Sequence, residues 1–183
     1  GFVKRCLELR PHESSRKLEL WKLSLPEFDA DAIRAKFKAA DGQGHTREEA
    51  VAWTAVKEVF DDFNDADKYV FSVPMWNFGI PYKLKHFIDV VTQPGLAFSY
   101  DEREGFKGLL GGRPAVIVAV RGGSYSEMPG DPMDFQVKYM KTVLGFMGIS
   151  DIRAVLAEGV NIGMRDAAVA AAKAELDSIA KDF

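Results

Sequence analysis

YVFSVPMWNFGIPYKLKHFIDVV, residues 69–91, decides the fold. YVFSV (69–73) is β-branched and aromatic and carries apolar residues on both faces. That pattern predicts a strand covered from both sides, in the middle of a parallel sheet. PMWNFGIP (74–81) breaks the extended run, because Pro74 fixes φ and a glycine and second proline follow. YKLKHFIDVV then puts Leu84, Phe87, Ile88 and Val91 on one helical face, and Gln93-Pro94-Gly95 ends it. Strand, loop and helix in that order form half of a parallel crossover unit. Two aromatics, Trp76 and Phe78, sit in its connection, where side chains are usually polar.

The same alternation runs outward in both directions. PAVIVAV (114–120) and DIRAVLAEG (151–159) read as further buried strands. A helix is predicted over about 133–147, with Phe135, Tyr139, Val143, Phe146 and Met147 inward. Another is predicted over 165–182, with Ala172, Leu176 and Ile179 in register. Upstream, Thr46-Arg47-Glu48-Glu49 is a capping box, and its helix carries Ala52, Val56, Val59, Phe60 and Phe63. Residues 27–45 carry a weak helical pattern. KLELWKL (17–23) alternates charged and apolar residues and predicts a short strand near a sheet edge. LAFSY (96–100) predicts a short extended piece, and 101–113, rich in glycine and charge, a surface excursion. Alternating helices and strands predict α/β architecture with right-handed crossovers and helices on both faces of the sheet.

The first residues, GFVKRCLEL, place Phe2, Cys6 and Leu9 on one helical face. A leading helix in this architecture calls for a strand before it. The expectation is a single domain over 1–183, N-terminally incomplete. With that strand restored, the sheet would have five strands in the flavodoxin-like order 2-1-3-4-5.

Composition narrows the class. The chain has 183 residues, 47% hydrophobic and 28% charged, enough for one sizeable core. A net charge of −3 without a basic stripe argues against nucleic acid and anionic lipid as partners. No apolar run approaches the ~20 residues of a membrane span. One cysteine leaves no internal disulfide and fits a reducing cytoplasm. The three histidines, His12, His45 and His86, lack metal-ligand spacing, so no metal site is expected.

Ligands of open α/β sheets bind beyond the carboxyl ends of the strands. Two loops there are unusual: PMWNFGIP after 69–73, and RGGSYSEMPGDP after 114–120. Pro74 stiffens the first, Asn77 offers an amide donor and acceptor, and Trp76 and Phe78 offer flat apolar surface. Backbone N–H groups near the following helix start can face a polar group. In the second, Gly122 and Gly123 admit close backbone approach, and Arg121 adds positive charge. Each feature alone has a plainer reading: packing aromatics, an ordinary turn, a surface ion pair, Asn77 as a helix N-cap. Their coincidence at one sheet edge favours a planar heteroaromatic ring with polar atoms along one side, such as the isoalloxazine of a flavin.

PMWNFGIPYKLKHFIDVV, GLAFSY, VIVAVRGG, LGFMGI and AEG together resemble the FMN-dependent NADH azoreductase and NADH:quinone oxidoreductase family, from about residue 68 to the end and more loosely over 17–66. The resemblance implies a flavodoxin-like three-layer sandwich with a parallel sheet and FMN held by Pro74, Met75, Trp76, Asn77, Phe78, Val120, Arg121, Gly122 and Gly123. It implies that Tyr100 and Phe146 help line the substrate cavity, and that the protein is a homodimer with sites at the subunit interface. NADH or NADPH would reduce the flavin, and a quinone or azo compound would take the electrons in a ping-pong cycle. The family usually has a hydroxyl residue where this chain has Val120. Its first strand and Ser-rich phosphate loop are expected upstream of Gly1. A flavodoxin-like electron carrier and a truncated domain without flavin are the alternatives. Hydrolase chemistry lacks a G-x-S-x-G elbow. No catalytic acid or base is assigned.

Overall fold

The computed structural model describes residues 1–126 and 133–183. Its elements run α1 (Phe2–Leu9), a 3-10 turn (Leu20–Lys22), α2 (Ala30–Ala40), α3 (Arg47–Asn64), β1 (Tyr69–Pro74), α4 (Tyr82–Val91), β2 (Phe98–Asp101), β3 (Gly105–Gly108), β4 (Ala115–Val120), α5 (Val137–Phe146), β5 (Ile152–Ala157) and α6 (Arg165–Ile179). β1, β4 and β5 lie side by side in that order, all parallel. These adjacencies are those of the last three strands in the expected order.

Alternation along β4 explains the layers. Ile117 and Ala119 face a core built with Phe60 and Phe63 of α3, Leu84, Phe87, Ile88 and Val91 of α4, and Met140 and Leu144 of α5. Val116 and Val118 face the opposite way, against Cys6 of α1 and Ala180 and Phe183 beyond α6. Val155 and Ala157 of β5 meet Ala172 of α6 on that second side. Each fully buried Leu, Ile, Val or Phe contributes ~1.5–3 kcal/mol, so the sheet and its helices form a jointly buried unit. Among the described residues no helix is long and apolar enough to cross a membrane.

Local chemistry sets the helix starts. Thr46 and Glu49 complete the expected capping box on α3: the hydroxyl accepts from the Glu49 N–H, and the Glu49 carboxylate accepts from the Thr46 N–H. Asp29 caps α2 through the N–H groups of Asp31 and Ala32. Asp134, two residues before the Gln136 N-cap of α5, accepts from the N–H groups of Gln136 and Val137.

Four expectations need correction. Residues 17–23 are not a strand: Leu18, Leu20 and Leu23 all reach the main core while the backbone turns between them, and none of the described strands pairs with it. β1 is covered on one face only, with Tyr69 and Val73 buried and Val70 and Ser72 exposed. Residues 101–113 are more than an excursion, because β2 and β3 form an antiparallel hairpin. Asp101 builds its turn by accepting from the N–H groups of Arg103 and Glu104. Lastly, α5 starts at Val137: Tyr139, Val143 and Met147 reach the core as expected, but Val137, Met140 and Leu144 are buried with them and Phe135, before the helix, is 62% exposed.

Candidate functional site

The register of β1 on β4 pairs Pro74 with Val120, so the two loops singled out leave the sheet at adjacent points of one edge. The ladder runs one step further on both sides. The Met75 N–H donates to the Val120 carbonyl at 2.8 Å, and the Arg121 N–H to the Ala157 carbonyl at 2.9 Å. Met75, Val120 and Arg121 therefore belong to the rigid strand ends.

Beyond Met75 the chain reverses within two residues. Trp76 and Gly79 exchange both backbone hydrogen bonds, at 2.9 and 3.0 Å. Between them Asn77 and Phe78 have φ of 47° and 69°. Two consecutive positive φ angles define a type I′ turn, which favours asparagine first and glycine second. Asn77 suits its place. Phe78 is strained there, because a Cβ crowds the carbonyl in the left-handed region at ~1–2 kcal/mol. The Phe135 N–H holds the Phe78 carbonyl at 3.0 Å, and the Phe78 ring meets Tyr125 edge-on at 6.2 Å.

This turn takes one of the expected donors near the helix start. The Gly79 N–H is used inside the turn, and the N-cap of α4 is Pro81, not Asn77. Among the described residues, the N–H groups of Asn77, Phe78, Gly122, Gly123 and Ser124 donate to nothing, and the Asn77 amide is likewise unpaired. Two short rows of free donors thus lie in the loops that leave one sheet edge. Backbone donors without partners at an accessible edge suit a ligand rich in acceptors.

The second loop is fixed from behind by the chain after β5. Val160, Asn161 and Gly159 donate to the carbonyls of Arg121, Gly122 and Gly123 at 3.2, 3.1 and 2.9 Å. A Cβ on Gly122 would lie 2.6 Å from the Asn161 amide nitrogen, so an alanine there would push that exposed side chain aside.

Arg121 departs from its expected role as a charge beside the ligand. Its side chain is fully buried and turns inward. It donates to Asp134 at 2.6 Å, to Glu158 at 2.9 Å and to the Gln136 Oε1 at 2.9 Å. Two carboxylates already neutralise it. Burial pushes the Glu158 carboxyl up, but hydrogen bonds from Ser126, Tyr125 and Arg121 together hold it below the ordinary glutamate value.

Trp76 packs on protein: its ring lies tilted, 5.6 Å from Trp21, which meets Tyr82 edge-on at 5.4 Å. All three are substantially exposed and form one aromatic patch beside the turn. Tyr100 and Phe146 join a second cluster. Tyr100 packs on Phe106 at 4.9 Å, and Phe146 on Phe98 and Phe106 at 4.6 and 5.5 Å. Among the described residues no ring contact links this hairpin cluster to the strand-end loops. Trp21, Tyr125, Asp134, Gln136 and Glu158 contact the two loops or the strand ends they leave, without having been singled out from sequence. The second loop's residues 127–132 lie outside the described set.

Comparison with known proteins now adds its weight. Residues 2–180 match the family described by its flavodoxin-like fold. An FMN-dependent NADH:quinone oxidoreductase of Desulfotalea psychrophila is 40% identical over all of this chain and 87% of its own length. The crystal structure of an azoreductase from Bacillus anthracis superposes with a TM-score of 0.91 at 34% identity, covering 100% of this chain and 88% of that one. An FMN-dependent NADH-azoreductase of the same species, solved in complex with FMN, superposes with a TM-score of 0.81 at 29% identity over 98% of this chain and 87% of that one.

Proposed function

The chain belongs to the flavodoxin-like fold family, and from that premise we propose that it is an FMN-dependent NAD(P)H oxidoreductase that reduces quinones and azo compounds by two-electron transfer. The observation that carries this reading is the pairing of Pro74 with Val120, from which two loops with unpaired backbone donors leave the same sheet edge. Relatives named for FMN-dependent quinone reduction, at 40% identity and above, support it.

The residues fit a flavin. The free N–H groups of Asn77, Phe78, Gly122 and Gly123, with the Asn77 amide, would take the acceptor-rich edge of the ring. Trp76 and Phe78 border it with aromatic surface, and Pro74, Met75 and Val120 fix where both loops begin. Val120 brings no hydroxyl, so its part is structural. When bound, FMN supplies acceptance of hydride from the nicotinamide and donation of two electrons to the acceptor. The chain's own contribution is orientation and charge stabilisation: donors held on strand ends stabilise negative charge without reorganising. Neither loop contains a histidine, so no side chain is assigned as acid or base. One pocket used in turn by donor and acceptor makes the kinetics ping-pong.

A homodimer completes the proposal. Tyr100 and Phe106 are 63% and 65% exposed on the hairpin, beside Phe146. An aromatic cluster this open marks a contact surface. Facing the partner's strand-end loops, Tyr100 and Phe146 would line its substrate space. The free cysteine and the absence of a membrane-spanning helix among the described residues suit work in the cytoplasm.

The test is an anaerobic absorbance titration. The chain is loaded with FMN, reduced with NADH, then given a quinone. Bleaching of the flavin band by NADH and its return with quinone are expected. A band that NADH leaves untouched would make the protein an electron carrier instead.

A further inference from the structure

The polar side chains behind the two strand-end loops form a continuous path that no ligand contact explains. It starts at the end of β1, where the Gln136 Nε2 donates to the Val73 carbonyl at 2.8 Å. Gln136 also accepts from the Arg121 Nε, and the other guanidinium nitrogens reach Asp134 and Glu158. Glu158, just past β5, then grips the second loop. Its Oε1 accepts from the N–H groups of Tyr125 and Ser126 at 3.1 and 3.3 Å, and its Oε2 accepts from the Ser126 hydroxyl. One set of hydrogen bonds thus ties the ends of all three parallel strands to the segment 121–126.

Burial makes this arrangement informative. Arg121 is 0% exposed at its side chain, with Asp134 at 6% and Glu158 at 14%. Desolvating such charges costs as much as their attraction returns, and well-packed apolar residues would serve stability equally well. What the ions add is geometry. Each guanidinium nitrogen has a fixed direction, so Glu158 and Gln136 cannot shift without breaking charge-assisted bonds.

We propose that Glu158 is a positioning residue. Acting through Arg121 and through the Tyr125 and Ser126 amides, it holds the free donors of residues 122–124 where they set flavin affinity and reduction potential. Gln136 carries the same restraint to the turn after β1. This inference rests on the FMN reading. It also settles what Arg121 does: it is the anchor of the loop, and its charge stays with the two carboxylates.

Glu158→Gln is the test, with Ser126→Ala as a milder variant that removes only the exposed hydroxyl donor. Three readouts are taken: amide hydrogen exchange of peptides spanning 121–126 in the FMN-free chain, FMN affinity, and the midpoint potential of bound FMN. In Glu158→Gln the peptides should exchange faster, affinity should fall about tenfold, the size of one hydrogen bond to a charged group, and the potential should become more negative as the donors lose alignment. Ser126→Ala should move all three the same way by less. Unchanged exchange, affinity and potential in a folded Glu158→Gln would overturn the proposal. So would a more positive potential with unchanged exchange, since loss of a negative charge alone does that. If Glu158→Gln does not fold, Ser126→Ala decides by the same criteria. A wild-type chain that takes up no FMN overturns the functional reading instead, and exchange in the FMN-free proteins still decides whether Glu158 holds the loop.

Discussion

A Cβ built on Gly108 would sit 2.1 Å from the backbone nitrogen of Gly148. The end of the β2–β3 hairpin therefore lies directly on the turn after α5, backbone on backbone. The Leu110 N–H donates to the Met147 carbonyl at 2.8 Å across the same contact. Gly148 itself has φ of 99°, so both partners at this crossing need to be glycine.

Gly108→Ala should consequently destabilise the protein by more than ~1–3 kcal/mol, the usual cost of overpacking, because backbone cannot move aside as a side chain can. Gly145→Ala is the matched control. Gly145 lies within α5 with nothing near its Cβ direction. That substitution should stabilise by about 0.5–1 kcal/mol through helix propensity. Urea unfolding of both variants measures the difference. A Gly108→Ala as stable as the wild type would refute the close approach.

Phe78→Gly separates folding from binding. The type I′ turn prefers glycine at the Phe78 position, so relief of strain offsets the lost ring and the added freedom of the unfolded chain. Thermal stability should stay within about 1 kcal/mol of wild type, while FMN affinity falls at least several-fold. Parallel melts and fluorescence titrations check both. A variant that loses stability and affinity together would mean the ring serves packing, not the ligand.

Much of the fold was legible because its signals are local. YVFSV, PAVIVAV and the capping box at Thr46 each state their element within a few residues. KLELWKL misled because alternation shows only which side chains want burial. Whether a neighbouring strand pairs with that backbone is a non-local matter, and Leu18, Leu20 and Leu23 reach the core without one. In α5 the apolar face is wider than the sequence pattern showed: Val137, Met140 and Leu144 are buried with Tyr139 and Val143 packed beside them, while Phe135 lies before the helix and is exposed.

The candidate site was legible as two loops at one sheet edge, because strand ends and glycines mark such places. Its internal wiring was not. Glu158 stands 37 residues from Arg121, and nothing in either segment announces the other. The left-handed Phe78 ran against the sequence rule that reserves such positions for glycine.

Acid should unfold the protein partly through Glu49. This carboxylate is 3% exposed. The Lys38 ammonium donates to it at 2.7 and 3.0 Å, and with the Thr46 N–H this holds its pKa below the ordinary glutamate value. A depressed folded pKa means the unfolded chain takes up the proton first as pH falls. The stabilisation is then complete above the unfolded glutamate pKa of about 4.3 and lost as pH drops through the folded value. Glu49→Gln should be less stable at pH 7 and lose less on acidification. Denaturation midpoints from pH 7 down to the acid transition measure both slopes. Parallel curves for the two proteins would clear Glu49 of the effect.

Trp21 supplies the last prediction, because the aromatic patch beside the turn exists only if it rests on Trp76. Ring centroids 5.6 Å apart imply a coupling of about 0.5–1.5 kcal/mol beyond burial. A double-mutant cycle of Trp21→Ala and Trp76→Ala, read by chemical denaturation, should return a value in that range. Trp76→Ala should also weaken FMN binding more than Trp21→Ala does, since Trp76 belongs to the turn that carries the free donors and Trp21 only supports its ring. A coupling near zero would mean that Trp76 is free of Trp21 in solution and available to stack on the ligand directly. The two substitutions would then differ still more in FMN affinity, with Trp21→Ala leaving it unchanged.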